Sequence, residues 1–273
     1  MTDHTTIPWR LILSEPLPGA DNMAIDEALL SCFDPGTSLP VLRLYRWSPP
    51  ALSLGRFQKA DEALNLERCR ADGVAVVRRI TGGGTIYHTD ELTYSLVCAP
   101  YQIPPASSVK DSFRVLTGFL LTFYRGLGLE ADYAVDTAPE GTRLGERTPF
   151  CFAGRETFDI LVNGCKIGGN AQRRTKGIIF QHGSIPLLNR ASTGLCYMRD
   201  NTPHLAAGVT ALAECGVAAD LPGLGDRLAA AFADTFEIDL RCGTLSAQES
   251  QAAQGLVPLK YAREAWNLEG AEQ

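Results

Sequence analysis

The sequence predicts an α/β fold in which a mixed, largely antiparallel sheet is flanked by helices. Three observations point to it. Short apolar runs come in pairs: 74–77 and 92–97 lie either side of a glycine-rich stretch, and 158–162 and 166–172 are joined by Asn163-Gly164. Asn-Gly between two such runs is a strong hairpin signal, because both residues tolerate the positive φ of a tight turn. Stretches of helical period and ordinary length separate the pairs. Hairpins pair strands antiparallel, whereas an all-parallel sheet needs a long crossover between every two strands.

The elements follow in order. Trp9 to Leu13 reads as a first strand. Asp21 is a candidate N-cap for a helix over Asn22 to Cys32, with Ala24, Ile25, Ala28 and Leu29 on its buried face and Asp26 and Glu27 on a solvated one. Val41 to Trp47 alternates apolar and charged residues as a half-buried strand does, and Pro49-Pro50 stops it. Ala51 to Leu54 makes a short strand, and Ala60 to Ala71 is helical in pattern, closed by Gly73. Val109 to Leu127 is a long amphipathic helix with Phe113, Leu116, Leu120 and Phe123 inward. A short strand near Ala131 to Val135 is followed by a polar surface loop, Ala138 to Pro149. Ile178 to Ile185 is a further strand, and from about residue 205 the pattern is mostly helical. No repeat, low-complexity tract or linker divides the chain, so 1–273 reads as one domain with a helical C-terminal part.

Composition narrows the function classes. With 273 residues and 45% hydrophobic content, the chain is long enough for one large core. No apolar run approaches a membrane span, and Met1 to Arg10 carries no signal-peptide core, so a cytoplasmic protein is expected. Eight cysteines without a Cys-x-x-Cys pair argue against a zinc ribbon or a disulfide framework, and most are expected to be small buried hydrophobes. Four histidines without a His-x-x-x-His pair give no metal site. A net charge of −6 argues against nucleic-acid binding. Arg78, Arg79, Arg173, Arg174 and Lys176 nevertheless form two basic clusters beside glycine-rich segments, which suits an acidic partner or an anionic ligand.

The first chemical stretch is Arg78-Arg79-Ile80-Thr81-Gly82-Gly83-Gly84-Thr85-Ile86-Tyr87-His88. Three successive glycines cost backbone entropy that a plain turn rarely needs, and they let a ligand lie against bare main chain. Two arginines at the mouth of such a loop suit a carboxylate or a phosphate. The same residues also fit a flexible turn with solvated arginines. His88 is expected to orient the loop rather than transfer protons.

The second stretch joins Phe150-Cys151-Phe152 to Gly164-Cys165-Lys166-Ile167-Gly168-Gly169-Asn170-Ala171-Gln172. Cys151 ends a loop between aromatic residues. Lys166 begins a strand flanked by glycines and is placed to point into a cleft, where its charge would favour a thiolate and bind a carbonyl oxygen. Cysteine with lysine is a workable pair for acyl transfer. An inert buried cysteine and a solvated lysine are the alternative. Cys165 is a rival thiol, but strand alternation points it away from Lys166. His182, in Gln181-His182-Gly183-Ser184, could act as a catalytic base or be a strand-end histidine bonded to main chain, and the structural role is favoured.

These stretches, together with Asn22-Met23-Ala24-Ile25-Asp26-Glu27, Ser53-Leu54-Gly55-Arg56-Phe57-Gln58, Lys260-Tyr261 and Trp266-Asn267, resemble in order the lipoyl branch of the lipoate–protein ligase, biotin–protein ligase and octanoyltransferase superfamily. The resemblance covers nearly the whole chain and implies one catalytic domain of that fold, with an acyl tunnel beneath the glycine loop. The Gly-Arg-Gly-Arg-type loop of the biotin branch is absent, Asn170 stands where serine is common, and there is no room for the accessory domain of the long ligases. Cys151 ahead of the lysine strand is similar to the LipM-type octanoyltransferases, whereas the LipB type carries its cysteine after the lysine.

The resemblance implies an acyltransferase that moves octanoyl from acyl carrier protein to a lysine of a lipoyl domain, such as the glycine-cleavage H protein or a 2-oxoacid dehydrogenase E2. It implies Cys151 and Lys166 as catalytic. It implies Arg78, Arg79, Thr81, Gly82, Gly83, Gly84, His88, Gly168, Gly169, Asn170, Ala171, Gln172, His182 and Gly183 as substrate-binding, with no cofactor. The runner-up is a lipoate–protein ligase, in which ATP and Mg would form an acyl-adenylate held by the glycine loop and Lys166. A non-catalytic lipoyl-domain or acyl-carrier binding module is the third reading.

Overall fold

The computed structural model describes residues 7–106, 108–137, 144–145, 150, 154, 156–218 and 221–271. Its strands, in chain order, are β1 (Trp9–Leu13), β2 (Val41–Tyr45), β3 (Ala51–Leu54), β4 (Ala75–Arg78), β5 (Ile86–His88), β6 (Glu91–Cys98), β7 (Ala131–Tyr133), β8 (Ile160–Val162), β9 (Cys165–Ile167), β10 (Gly169–Thr175), β11 (Ile178–Pro186), β12 (Val209–Thr210) and β13 (Leu240–Gly243). They form a six-stranded sheet in the order β10-β11-β6-β2-β1-β13, a four-stranded sheet β12-β9-β8-β7 and a three-stranded sheet β4-β3-β5. Most neighbours run antiparallel; β13, β1 and β2 are mutually parallel, as are β3 with β4 and β12 with β9.

Both faces of the six-stranded sheet are covered. Leu44, Leu96 and Trp9 pack under the helices Val109–Gly126 and Leu221–Phe236, through Phe119, Leu120, Phe123, Leu228 and Phe232. Val41, Tyr45, Val97 and Ile12 face the helix Gly19–Ser31 and the C-terminal residues Tyr261 and Trp266. Every residue of β2, β6 and β11 is therefore buried, and β2 is not the half-buried strand its alternation suggested. Its one charged residue, Arg43, reads as a surface position until the helix above it is in place.

Other local expectations are corrected by long-range pairing. The strands around the glycines do not form a hairpin with each other: β4 and β5 both flank β3, and the apolar run after them becomes β6 of the large sheet. Asn163-Gly164 does make the predicted turn, at φ 51° and 76°. The strand expected over 166–172 breaks at Gly168, with φ +83°, so that β9 and β10 belong to different sheets. The helix expected over 60–71 is two short helices, Ala60–Ala63 and Leu66–Ala71. The first helix begins at Gly19, which leaves Asp21 inside it rather than capping it. Two short strands, β12 and β13, arise in the part whose pattern reads as mostly helical. Of the cysteines described, Cys69 and Cys98 are buried, whereas Cys196 and Cys242 are exposed.

Arg78 ties the chain ends together. It is 1% exposed, and its guanidinium donates to the carbonyls of Trp266, Leu268, Gly55, Arg56 and Gln58. Its main chain exchanges bonds with the Asn267 and Trp266 side chains. This corrects the expectation that Arg78 meets an anion at the mouth of the loop: each nitrogen of its guanidinium donates to a carbonyl.

Two predictions follow from these contacts. A Cβ at Gly55 would sit 2.0 Å from the Gly83 oxygen, while at Gly126 it would meet nothing within 4 Å. Gly55→Ala should therefore lower stability by about 1–3 kcal/mol through forced displacement of backbone, and Gly126→Ala should not; urea midpoints at unchanged slope measure both. Arg78→Lys should lose about 3 kcal/mol or more, because one ammonium cannot satisfy carbonyls arranged for a fork. Equal melting curves for Arg78→Lys and the parent would refute the clamp.

Candidate active site

A cavity with about 400 Å³ of non-atom space, counted out to its open mouth, lies under the glycine loop on the Gly19–Ser31 side of the six-stranded sheet. Met23, Tyr45, Trp47, Ile86 and Ala171 give it apolar walls. Ser53, Arg79, His88, Thr93, Asn170, His182 and Ser184 supply polar groups, and Gly83, Gly169 and Gly183 present bare main chain. An apolar chamber with a few convergent polar groups is the usual form of a small-ligand site.

Eight of the expected binding residues border this cavity: Arg79, Gly83, His88, Gly169, Asn170, Ala171, His182 and Gly183. Others act behind it. Arg79 donates to the Gly82 and Gly84 oxygens at 2.8 and 2.7 Å and to the Ser53 main chain at 2.9 Å. Its charge therefore shapes the loop from inside. Thr81 is bonded to His182. Gly168 makes the sheet-to-sheet turn, where a Cβ would lie 2.1 Å from the Ser184 oxygen. Gln172 faces the other way, toward Gln181 and Ser112 of the long helix, and its assignment to the cavity is corrected. Arg78, as described above, is directed to the C-terminal residues.

Two hydroxyl–histidine–carboxylate chains wall the cavity. In one, Ser53 Oγ lies 2.7 Å from His88 Nε2, and His88 Nδ1 lies 2.7 Å from Glu91 Oε1; Trp47 stacks on the imidazole with centroids 3.8 Å apart. In the other, Thr81 Oγ1 lies 2.7 Å from His182 Nε2, and His182 Nδ1 faces Asp26 at 3.6 Å, too far for a direct bond. Asp26 accepts from Arg43, Tyr45 and Ser95 at 2.8 to 2.9 Å. His182 thus bonds a side chain on the glycine loop rather than main chain.

Sequence reading missed Ser53, Glu91 and Asp26 in these roles. Asp26 was placed on a solvated face, yet it is 1% exposed. Its signal was present: it falls three and four residues from Met23, Leu29 and Leu30, inside the buried arc of its helix.

Lys166 lies on β9, whose next residue Ile167 and whose facing residue Val162 enter the large core. Alternation turns Lys166 away from Cys165, as expected, but Lys166 is not among the residues lining the cavity. It is 2% exposed; Nζ lies 2.7 Å from Asp159 Oδ2 and 2.9 Å from the Gly154 oxygen. Asp159 also accepts from the Glu156 amide and is a further residue that sequence reading missed. Cys151 lies outside the described residues, as does most of the loop expected over 138–149. On its near side, Phe150 is fully buried and bridges in parallel to Thr85, at the end of the glycine loop. Among the described residues no cluster of three His, Cys, Asp or Glu side chains is arranged to hold a metal, and no helix is long and apolar enough to cross a membrane.

The buried acids make the fold acid-sensitive. Burial pushes Asp26 up, but His182, Arg43 and Ser95 outweigh it and hold its pKa below the usual value. Burial also pushes Glu91 up, and His88, Thr93 and Ser184 bring it below normal. Burial lowers His182 despite Asp26. Each folded pKa lies below its unfolded value, so each contributes stability above the unfolded pKa that is lost as pH falls through the folded one. The urea midpoint should hold from about pH 8 to 7, decline below about 6.5 as His182 resists its proton, and fall steeply below about 4. His182→Gln should remove the first decline; a midpoint that rises between pH 6.5 and 5 would contradict these assignments.

With this geometry in view, comparison with known proteins is informative. Residues 18–233 match the lipoyl protein ligase A/B catalytic domain. An octanoyltransferase LipM of Brevibacillus brevis is 34% identical over 274 residues, covering 95% of this chain and 98% of its own. Another, from Symbiobacterium thermophilum, is 35% identical over 272 residues with the same coverage. Among solved structures, a putative lipoate protein ligase of T. acidophilum with bound lipoic acid superposes with a TM-score of 0.80 at 26% identity, covering 96% of this chain and 99% of that one. A lipoate-protein ligase A bound with ATP gives 0.81 at 26% identity, covering 97% and 100%. The match spans most of the chain and includes the cavity, both histidine chains and the Lys166 strand, so the protein belongs to the lipoyl protein ligase A/B catalytic-domain family.

Proposed function

We propose that this enzyme is an octanoyl-[acyl carrier protein]:protein N-octanoyltransferase of lipoate biosynthesis, working through a thioester on Cys151. The reading is carried by the placement of Lys166: its buried ammonium is held by Asp159 and by the main chain of Gly154, within the segment that bears Cys151. Relatives named octanoyltransferase align over nearly the full length and support it.

The steps balance without nucleotide. The Cys151 thiolate attacks the octanoyl thioester, the carrier thiolate leaves and takes up a proton, and one thioester replaces another. The ε-amine of the acceptor lysine on a lipoyl domain then attacks. An amide forms, the cysteine sulfur leaves, and the proton lost by nitrogen returns to the thiol. In both steps the carbonyl oxygen becomes negative, and a fixed ammonium such as Lys166 stabilises that charge where little water competes. Asp159 holds the ammonium, and the apolar walls under the glycine loop accept the hydrocarbon chain. Arg173 and Arg174, on β10, are suited to drawing in an acidic carrier.

Incubation with octanoyl carrier protein should add one octanoyl mass to the intact protein, mapped to Cys151 and absent in Cys151→Ala. The exposed thiols serve as controls: Cys196→Ala and Cys242→Ala should acylate normally. Lys166→Ala should slow acylation by about 100- to 1000-fold, the usual loss for one oxyanion donor. Lipoylation from free lipoate that requires ATP and survives Cys151→Ala would replace this reading with a ligase.

A further inference from the structure

A second cleft, with about 340 Å³ of non-atom space out to its mouth, lies beside the acyl cavity. Its lining includes Thr89, Glu91, Phe150, Asn189, Arg190 and Thr210. Three contacts connect it to the chemistry. Glu91 borders the cleft, and its carboxylate binds His88 of the acyl cavity, so this bonded pair forms the wall between them. Phe150 immediately precedes Cys151. Thr210 and its neighbour Val209 pair with Ile167 and Lys166. The cleft thus runs from the surface toward the same Lys166 strand by a second route.

We propose that this cleft receives the phosphopantetheine arm of the thioester donor, an inference that rests on the transferase reading. The charges select the class of ligand. Arg190 is the one cation among the described lining residues; it is half-exposed and pairs with Asp90 at 2.8 Å. Glu91 is a buried anion whose two oxygens serve His88 and Ser184, and Asn189 binds Glu214. A triphosphate would meet one compensated cation and several carboxylates. A slender arm with two neutral amides and a single phosphate fits: apart from Glu91 and Arg190 the lining is uncharged, with Thr89, Asn189 and Thr210 along it, and Arg190 at the rim would exchange Asp90 for the phosphate.

The test compares three donors by rate of acylation at Cys151: octanoyl phosphopantetheine, octanoyl pantetheine and octanoyl N-acetylcysteamine, which lacks most of the arm. Arg190→Glu, at an exposed position, should raise KM about tenfold for the phosphorylated donor, with little change in kcat or in the other two donors. Ala191→Leu, which narrows the cleft, should raise KM for both long donors and leave the truncated one unchanged. Equal effects on all three donors, or none, overturn the assignment while leaving the transferase reading intact. Binding of Mg-ATP that Arg190→Glu abolishes also overturns it and marks a nucleotide site. If none of the three acylates the parent enzyme while octanoyl carrier protein does, this assignment is overturned and the transferase reading stands; if octanoyl carrier protein fails as well, both fall.

Discussion

A guanidinium buried behind the glycine loop gives that loop a single shape. Three glycines in a row have the widest choice of backbone angles, and alone they would sample many. Arg79 removes that freedom by binding the carbonyls of Gly82 and Gly84 while braced on Ser53. In a trans peptide the C=O and N–H point in opposite directions. Drawing those two carbonyls to the arginine therefore turns the amides of Gly83 and Thr85 away from it. Thr81 is fixed by His182 at one end, and Gly83 rests on Gly55 with no space for a side chain between them. What a ligand meets is a prearranged edge of main chain, which is how glycine loops become recognition surfaces rather than disordered turns.

That arrangement rests in turn on a charged cluster in the core. His182 faces Asp26, and Asp26 is bound by Arg43 from the middle of the six-stranded sheet. An isolated buried ion pair seldom stabilises a protein, because desolvation offsets the attraction. Here the remaining valences are filled: Asn22 receives the second arm of Arg43, Ser14 its Nε, and Tyr45 and Ser95 complete Asp26. The gain is positional. The cluster fixes the rotation of the helix Gly19–Ser31 over the sheet, and so sets Met23 as a wall of the cavity.

How much of this was legible in the sequence follows from where each determinant lies. The Asn163-Gly164 hairpin, the strand over Trp9–Leu13 and the long helix from Val109 were readable because their signals are local: turn chemistry and apolar period. The break at Gly168 was not, because its cause is a carbonyl of Ser184 on another strand. Arg78 was recognised as important and given the wrong neighbours, and Arg79 borders the cavity while also bracing the loop from behind. A sequence does not distinguish an arginine that meets an anion from one that meets carbonyls supplied by residues 53–58 and 266–268. At the cavity, Arg79, Gly83, His88, Gly169, Asn170, Ala171, His182 and Gly183 were singled out from motif and spacing, although the partners of both histidines were not. Ser53, Glu91 and Asp159 were not, since each gains its role from a partner that only folding brings near.

The split at Gly168 bears on how the buried Lys166 ammonium and the cavity under the glycine loop keep register. Lys166 belongs to the four-stranded sheet and the chamber to the six-stranded one. In the reaction proposed for this site, an oxyanion donor misplaced by the order of 1 Å would be costly. Two sheets joined by a flexible linker would not hold that. Here the linker is a single residue whose conformation is dictated by the Ser184 carbonyl. The Ser184 hydroxyl binds Glu91, Glu91 binds His88, and His88 binds Ser53 beneath the glycine loop. The chain of contacts from the lysine strand to the loop therefore contains one backbone joint and a run of buried, charge-assisted hydrogen bonds. Glu91 is its middle member and also the partition between the two clefts, so one buried carboxylate both aligns the site and divides it.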